Sequence, residues 1–159
     1  MKIKLLLILF FCLNNLLGYC TTISVDINNI TPPDGNWIVL ANGSWNGWGW
    51  GVELYDPDGD GAFEGTLCDL ENGTYGYVHT ITGEFDNWSG WGMVSNAPYN
   101  SPCDFVPNDQ WYNYGFEVNG QDTVTETNSF GECGIVQSFS PIPSLVKPAN
   151  GAVVNYIHI

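Results

Sequence analysis

Residues 63–81, FEGTLCDLENGTYGYVHTI, decide the fold class of this chain. Apolar and small or polar residues alternate from Phe63 to Leu70 and again from Thr74 to Ile81. A period of two is typical of β-strands, since successive side chains point to opposite faces. Between the runs stands Glu71-Asn72-Gly73, and Asn-Gly tolerates the positive φ of tight turns. The stretch therefore predicts a β-hairpin.

The rest of the chain shows a similar pattern of short strand-like runs. Short alternating or apolar runs recur between clusters of Gly, Pro, Asn and Asp, and almost nothing after residue 20 has helical periodicity. This pattern predicts an all-β domain, with a second tight turn at Gly120-Gln121. The further predicted strands are Ile23 to Asn28, Trp37 to Ala41, Val52 to Tyr55, Gly92 to Ser95, Tyr114 to Asn119 and Thr123 to Thr127.

The two ends of the chain differ from this domain. Residues 1–20 have two lysines, an apolar run and then small or polar residues, which predicts a secretory signal and a secreted, extracellular protein. Asn14 and Asn15 interrupt the run too early for a membrane anchor. The folded domain is placed at 21–134. Residues 135–159 are predicted to be a linker, followed either by the start of a second β domain or by a tail or edge strand.

Charge excludes several kinds of partner. The 159 residues contain 17 Asp and Glu but only three Lys and no Arg, which gives a formal net charge of −14. Such a chain cannot neutralise phosphates, so nucleic acid and anionic membrane surfaces are excluded as partners. Because 44% of the residues are apolar and only 13% are charged, a packed core is expected. We therefore expect an uncharged ligand.

The cysteines predict a disulfide in an oxidising compartment. Signal cleavage after Gly18 leaves four cysteines and cleavage after Cys20 leaves three, and the even number favours the first cut. The favoured pair is Cys103 with Cys133, a link that stabilises by roughly 3 to 4 kcal/mol through loop closure. Whether Cys20 and Cys68 pair is left open. No Cys-x-x-Cys spacing indicates zinc.

Aromatic residues are concentrated in Gly- and Asn-rich segments between the predicted strands. Flat aromatic rings stack on the apolar faces of sugar rings, and neighbouring amides bond the hydroxyls, so such a surface suits a neutral glycan. Trp37 is expected in the core, while Trp45 is equally compatible with core and surface. The cluster comprises Trp45, Trp48, Trp50, Phe85, Trp88, Trp91, Trp111, Tyr112 and Tyr114.

An acidic turn offers the one candidate metal site. Asp56, Asp58 and Asp60 alternate and are followed by Gly61, like the first half of an EF-hand loop. Leu67 stands where the bidentate Glu is required, so this is no EF-hand, and a plain acidic turn is the simpler interpretation. Apart from structural Ca²⁺ at this turn, no cofactor is expected.

Catalytic motifs are missing from the sequence. His79 lies in a predicted strand and His158 in the tail, and neither belongs to a nucleophile motif. We therefore expect a non-enzymatic domain.

Two segments carry a family resemblance. Gly43-Ser44-Trp45-Asn46-Gly47-Trp48 resembles a segment of early-set, immunoglobulin-like starch- and glycogen-binding modules, and residues 58–66 with 70–77 resemble their hairpin. The resemblance implies an immunoglobulin-like β-sandwich. It also implies that Trp48 stacks on sugar and that Phe85 or Trp88 is a second platform. Where glycogen-binding relatives have Lys, this chain has Val78, so one polar sugar contact is absent.

Residues 101–133 look like the cysteine-closed tail of similar modules in secreted polysaccharide-degrading enzymes, laminarinase-like ones among them. The predicted function is a non-catalytic carbohydrate-binding module for α- or β-glucan. The segment would then be one part of a longer secreted enzyme with a catalytic domain downstream. The alternative is a structural or adhesive spacer domain that binds no sugar. The residues predicted to contact the glycan are Trp48, Trp50, Phe85, Trp88 and Trp91.

Overall fold

A computed structural model describes residues 18–135 of the chain. The predicted linker and second domain, and the predicted signal up to residue 17, lie outside the described residues. The described part contains nine strands and two single 3₁₀ turns, Ser44–Asn46 and Glu84–Asp86. The strands are β1 (Tyr19–Asp26), β2 (Trp37–Gly43), β3 (Val52–Leu54), β4 (Ala62–Leu70), β5 (Gly73–Gly83), β6 (Met93–Ser95), β7 (Tyr114–Val118), β8 (Thr123–Val124) and β9 (Asn128–Ser129).

The strands form two sheets. In the first, β1 lies between β4, which is antiparallel to it, and the short strands β8 and β9, which are parallel to it. The second has the order β3-β2-β5-β6, with β7 also pairing with β5, and all its pairs are antiparallel. A bridge between Tyr55 and Glu64 joins the β3 and β4 edges. The prediction of an all-β sandwich is confirmed.

The core lies between the two sheets. Ile23 and Val25 of β1 are fully buried and belong to one cluster with Val39 and Ile81 of the second sheet. Residues at every second position of a strand share a face, which explains why the alternation in the sequence identifies these side chains.

Both tryptophans near the ends of β2 pack against this core. Trp37 lies 5.9 Å from Phe63 between ring centroids, and Trp45 lies 6.4 Å from Tyr77 and 6.2 Å from Phe116. Trp37 and Trp45 are both partly buried against the core, which agrees with the expectation for Trp37.

The predicted hairpin at residues 71–73 is wrong. The strands on either side of it, β4 and β5, belong to different sheets, so the turn carries the chain across the sandwich. Neither Asn72 nor Gly73 has a positive φ. The Asn72 carboxamide instead accepts a 2.7 Å bond from the backbone N–H of Gly120. Gly120 lies in the second predicted tight turn, between β7 and β8, which also joins the two sheets and is therefore no hairpin either. The sequence alternates in the same way whether two successive strands pair as a hairpin or belong to different sheets, because each strand buries one face in both cases.

The first and last predicted strands have different bounds in the structure. Strand β1 begins at Tyr19, inside the predicted signal, and Cys20 within it is bonded to Cys68. The folded part therefore begins before residue 21. Of the run predicted at 123–127, only Thr123–Val124 forms a strand, β8, and the next strand, β9, begins just after the run at Asn128. Two residues of each strand pair with β1.

A second disulfide joins Cys103 to Cys133, the pair that the sequence favours. Two disulfides are typical of proteins in an oxidising, extracellular environment. Among residues 18–135, no helix has the length and apolar character needed to cross a membrane.

Candidate functional site

A groove of about 470 Å³ opens on the outer face of the second sheet. This volume falls within the roughly 300 to 1,000 Å³ of pockets that bury small ligands. Three tryptophans, two valines and two asparagines surround it, and none of these side chains is charged. The lining residues are Trp48, Val78, Trp91, Val94, Asn96, Trp111 and Asn113.

The strand register explains the floor of the groove. Tyr77 and Ile81 of β5 belong to the core, so Val78 and Thr80 point to the opposite face. Val94 of β6 is paired with Thr80 and shares that outer face. Val78 is buried although it is not part of the core cluster, because loops cover the outer face around it.

The first wall is Trp48, which follows the 3₁₀ turn after β2. Gly47 and Trp48 have φ of 71° and 65°, and the Trp48 backbone N–H donates a 3.0 Å bond to the Gly43 carbonyl. A bulky residue with positive φ is an uncommon, strained conformation. It leaves the Trp48 ring 36% exposed at the edge of the groove.

The second wall, Trp91, is carried by residues 86–91, which run back over the outer face of β5. Gly90 makes two bonds to this face: its N–H donates to Thr82 Oγ1 at 2.9 Å, and its carbonyl accepts from Thr80 Oγ1 at 3.0 Å. The next residue, Trp91, donates its backbone N–H to Ser89 Oγ at 3.0 Å. These bonds attach the Trp91 backbone to the sheet.

The carboxylate of Asp86 organises the start of this segment. Desolvation alone would raise the pKa of Asp86, but hydrogen bonds from the Gly83 backbone, from Ser89 and from Thr82 outweigh it and lower the pKa to about 2. Asp86 therefore remains a carboxylate, an acceptor for three donors, at any physiological pH.

Asn42 joins the loops that carry Trp48 and Trp91. Its side chain is fully buried, donates from Nδ2 to the Gly90 carbonyl at 2.7 Å and accepts at Oδ1 from the Gly51 N–H at 2.9 Å. The Trp50 ring lies on Gly90, where an added Cβ would come within 3.3 Å of it. The relative position of the two loops thus depends on one buried carboxamide.

The third wall, Trp111, comes from the long connection between β6 and β7. The Trp111 backbone N–H donates to Asp109 Oδ1 at 2.7 Å, and Ala97 N–H donates to the Tyr112 carbonyl at 3.1 Å, which closes the loop. The Cys103–Cys133 disulfide ties the middle of the same loop to the chain after β9. The Trp111 side chain is 63% exposed.

Two of the five predicted glycan contacts, Trp48 and Trp91, line the groove together. Trp50, Phe85 and Trp88 are exposed but do not line it. Tyr114, which the sequence placed in the aromatic cluster, is 1% exposed and belongs to the core.

Five lining positions are not among the predicted contacts: Val78, Val94, Asn96, Trp111 and Asn113. Trp111 was visible as part of an aromatic run, but no pattern related it to Trp48. Val78 stands out in the sequence only as a departure from the pattern of the modules that the chain resembles. Asn96 and Asn113 lie beside strand ends and carry no distinctive signal in the sequence.

The acidic turn lies between β3 and β4, and none of its carboxylates lines the groove. Carboxylate oxygens of Asp56, Asp58 and Asp60 lie within 4.8 Å of one another and could hold a cation. Desolvation raises the pKa of Asp56, but backbone bonds from Gly61 and Gly59 lower it below its usual value. Asp56 Oδ1 already accepts a hydrogen bond from the Gly59 backbone N–H at 2.7 Å within the turn. Calcium binding at this turn stays a prediction.

The Asp and Glu side chains of residues 18–135 are not balanced by any Lys or Arg in that range. All 17 carboxylates of the chain fall within residues 18–135, whereas Lys2, Lys4 and Lys147 fall outside them. His79 lies in the core with its ring centroid 5.2 Å from Tyr77 and 5.0 Å from Tyr114. It is fully buried and does not line the groove.

Comparison with known proteins gives little. No protein-family model matches the chain, and no curated protein matches it. Among solved structures, the chain is similar to a Glycoside Hydrolase Family 15 Glucoamylase from Hypocrea jecorina, with a TM-score of 0.47 and 14% identity. The match covers 72% of this chain and 17% of that one. A similarity of this size shows neither the fold type nor the function.

Proposed function

We propose that this domain is a non-catalytic carbohydrate-binding module of the immunoglobulin-like, early-set type, which binds a neutral glucan in the outer-face groove. The observation that carries the proposal is the groove lining. Three exposed tryptophans, Trp48, Trp91 and Trp111, surround a floor of valines, with two asparagine side chains beside them.

The chemistry of this lining suits a sugar chain. Tryptophan rings offer flat apolar surfaces to the axial C–H faces of pyranose rings, and the amides of Asn96 and Asn113 can donate to and accept from hydroxyls. A few polar groups in a mostly apolar cleft are typical of small-molecule sites. Because Val78 contributes no polar group to the floor, stacking rather than hydrogen bonding carries most of the affinity.

The charge of the domain favours an uncharged ligand. With 17 carboxylates and no Lys or Arg in residues 18–135, the domain repels carboxylated or sulfated polysaccharides. A neutral glucan experiences no such repulsion.

We also propose that the protein is secreted, with structural Ca²⁺ at the acidic turn as a separate proposal. The two disulfides support an extracellular location. The resemblance to modules of polysaccharide-degrading enzymes supports a role in holding a catalytic domain close to its substrate, through a raised local concentration.

The test is calorimetric titration of the chain with amylose-type α-1,4-glucan and with laminarin, a β-1,3-glucan. Trp48→Gly and Trp111→Ala should each weaken binding by about 1 to 3 kcal/mol with little change in melting temperature, because both rings are exposed. Glycine suits the positive φ at position 48.

Trp45→Ala is the matched control, because Trp45 is in the same turn but packs on the core. It should cost about 3 to 5 kcal/mol of folding stability instead. If the unchanged chain binds neither glucan, the proposed function is wrong, and a structural or adhesive spacer domain becomes the better account.

A further inference from the structure

One carboxylate of the domain is buried without a full set of partners. Asp104 lies in the connection between β6 and β7 and is only 3% exposed. Oδ2 of this carboxylate accepts a 2.9 Å hydrogen bond from the Asn100 backbone N–H. Oδ1 is also buried, and it has no hydrogen-bond partner among residues 18–135. Because a buried charge is normally paired or bound to a metal, Oδ1 is expected to have a further partner.

The described residues contain no positively charged side chain that could be this partner. Residues 18–135 contain neither Lys nor Arg. Their one histidine, His79, is fully buried beside Tyr77, and burial lowers its pKa to about 3, so the ring is neutral. A compensating charge must therefore come from outside these residues. After removal of the predicted signal, the sources that remain are Lys147 and a cation from the solvent.

The turn that contains Asp104 offers the oxygen ligands that Ca²⁺ takes. The Asp104 N–H donates to the Ser101 carbonyl at 3.1 Å, and Asn100 Oδ1 accepts from the Asn108 N–H at 3.1 Å, so residues 100–108 form a closed turn. Ca²⁺ binds carboxylates together with backbone carbonyls and Asn side chains in flexible geometry, whereas Mg²⁺ demands a near-ideal octahedron. The 17 carboxylates of the domain also concentrate cations near its surface. A calcium ion therefore suits this turn.

The connection between β6 and β7 is long and has no regular structure of its own. Residues 96–113 contain no strand or helix, and connections longer than about 12 to 15 residues without secondary structure are uncommon. The Cys103–Cys133 disulfide fixes one point of it. Two residues further on, the Phe105 N–H donates to the Asn113 carbonyl at 2.9 Å, and Asn113 lines the groove. An ion held between these two attachments would stabilise the segment that supports the groove wall.

We propose that Asp104 is a ligand of a structural Ca²⁺ ion, which its Oδ1 binds together with other oxygens of residues 100–108. The ion stabilises the connection that carries Trp111. This site differs from the acidic turn, which lies between β3 and β4. The inference does not depend on glucan binding, because the ion can be measured without any sugar. The expected Kd is on the order of 10⁻⁴ to 10⁻³ M, as in other extracellular modules.

The test is thermal unfolding of the full chain after dialysis against EGTA, with CaCl₂ or MgCl₂ added at constant ionic strength. The reference chain carries Asp58→Asn, so that a cation at the acidic turn does not account for the response. In about 10 mM Ca²⁺ its melting temperature should rise by about 5 °C, and by much less in Mg²⁺. Adding Asp104→Asn, which keeps the shape and removes the charge, should abolish this rise. Without Ca²⁺ the Asp104→Asn chain should be at least as stable as the reference, because it buries an amide instead of a charge.

Asp34→Asn is the matched control, because it removes one negative charge at an exposed residue and should leave the calcium response intact. Calorimetric titration of the reference chain with CaCl₂ should also detect one bound ion. The inference is wrong if the reference chain does not bind Ca²⁺, if Asp104→Asn responds as the reference does, or if Mg²⁺ stabilises equally. If Asp104→Asn is less stable than the reference without Ca²⁺, or does not fold, the protein itself supplies the partner, with Lys147 as the candidate, and the inference is again overturned. None of these results bears on glucan binding in the groove.

Discussion

The buried histidine makes the stability of the sandwich depend on pH. Burial lowers the pKa of His79 to about 3, an effect that the Ser24 backbone only partly offsets, against 6.5 for a solvated histidine. Neither ring nitrogen makes a well-formed side-chain hydrogen bond among the described residues, and the rings of Tyr77 and Tyr114 lie against the imidazole. Protonation would place an uncompensated charge in the core.

The sign and size of the effect follow from linkage. Between pH 6.5 and pH 3 the unfolded chain binds a proton at His79 that the folded chain does not bind, so stability is complete above pH 6.5 and falls as the pH falls. The loss is about 1.4 kcal/mol per pH unit, or roughly 3 kcal/mol at pH 4. A typical domain has only about 5 to 15 kcal/mol of stability, so a loss of this size is easily measured.

The assay is urea unfolding of the unchanged chain and of His79→Leu between pH 7 and pH 4. Acidification also neutralises carboxylates and relieves their mutual repulsion, but this effect is common to both proteins and cancels in the difference. The difference in unfolding free energy should move in favour of the leucine variant by roughly 3 kcal/mol over this range. A difference that does not change with pH would refute the account of His79 as a buried neutral base.

Two further predictions concern the framework of the groove. Replacement of both Cys103 and Cys133 by Ser should lower the free energy of unfolding by roughly 3 to 4 kcal/mol, which urea unfolding curves measure. It should also weaken glucan binding, because the loop that carries Trp111 loses its covalent link, and an unchanged affinity in the titration would contradict this. Asn42→Ala should lower the free energy of unfolding by about 3 kcal/mol and weaken glucan binding, because the Gly90 carbonyl and the Gly51 N–H lose their hydrogen bonds to the carboxamide. A loss of unfolding free energy below about 1 kcal/mol would contradict this prediction.

The fold class follows from the sequence because alternation is a local signal. Side chains at every second position identify the buried face, and Ile23, Val25 and Ile81 are buried as that rule requires. Which strands pair is not local. The turn at residues 71–73 has the composition of a hairpin and yet joins two sheets, since its neighbours pair with β1 and β2 instead. Both arrangements bury the same side chains, so hydrophobic patterning alone cannot distinguish them.

The candidate site could also be predicted only in part from local sequence patterns. Residues 43–48 carry a local pattern that predicts Trp48 as a sugar contact, and Trp48 lines the groove. Trp91 and Trp111 come from two other connections, and their place beside Trp48 depends on long-range contacts. For Trp91 the contact is Asn42 with Gly90, and for Trp111 it is the Cys103–Cys133 link. Neither contact has a sequence signature that would relate the three rings to one another.

The position of Val78 shows how function depends on the register of β5. The same strand supplies Tyr77 and His79 to the core and Val78 to the groove floor, because adjacent side chains point to opposite faces. A shift of one residue would exchange these roles, and the pairing of β5 with β2, β6 and β7 prevents it. The groove and the core are therefore two faces of one strand. Because Val78 is buried and also lines the groove, a substitution at position 78 should change both ligand affinity and folding stability, whereas a substitution at either neighbour should act on folding stability alone.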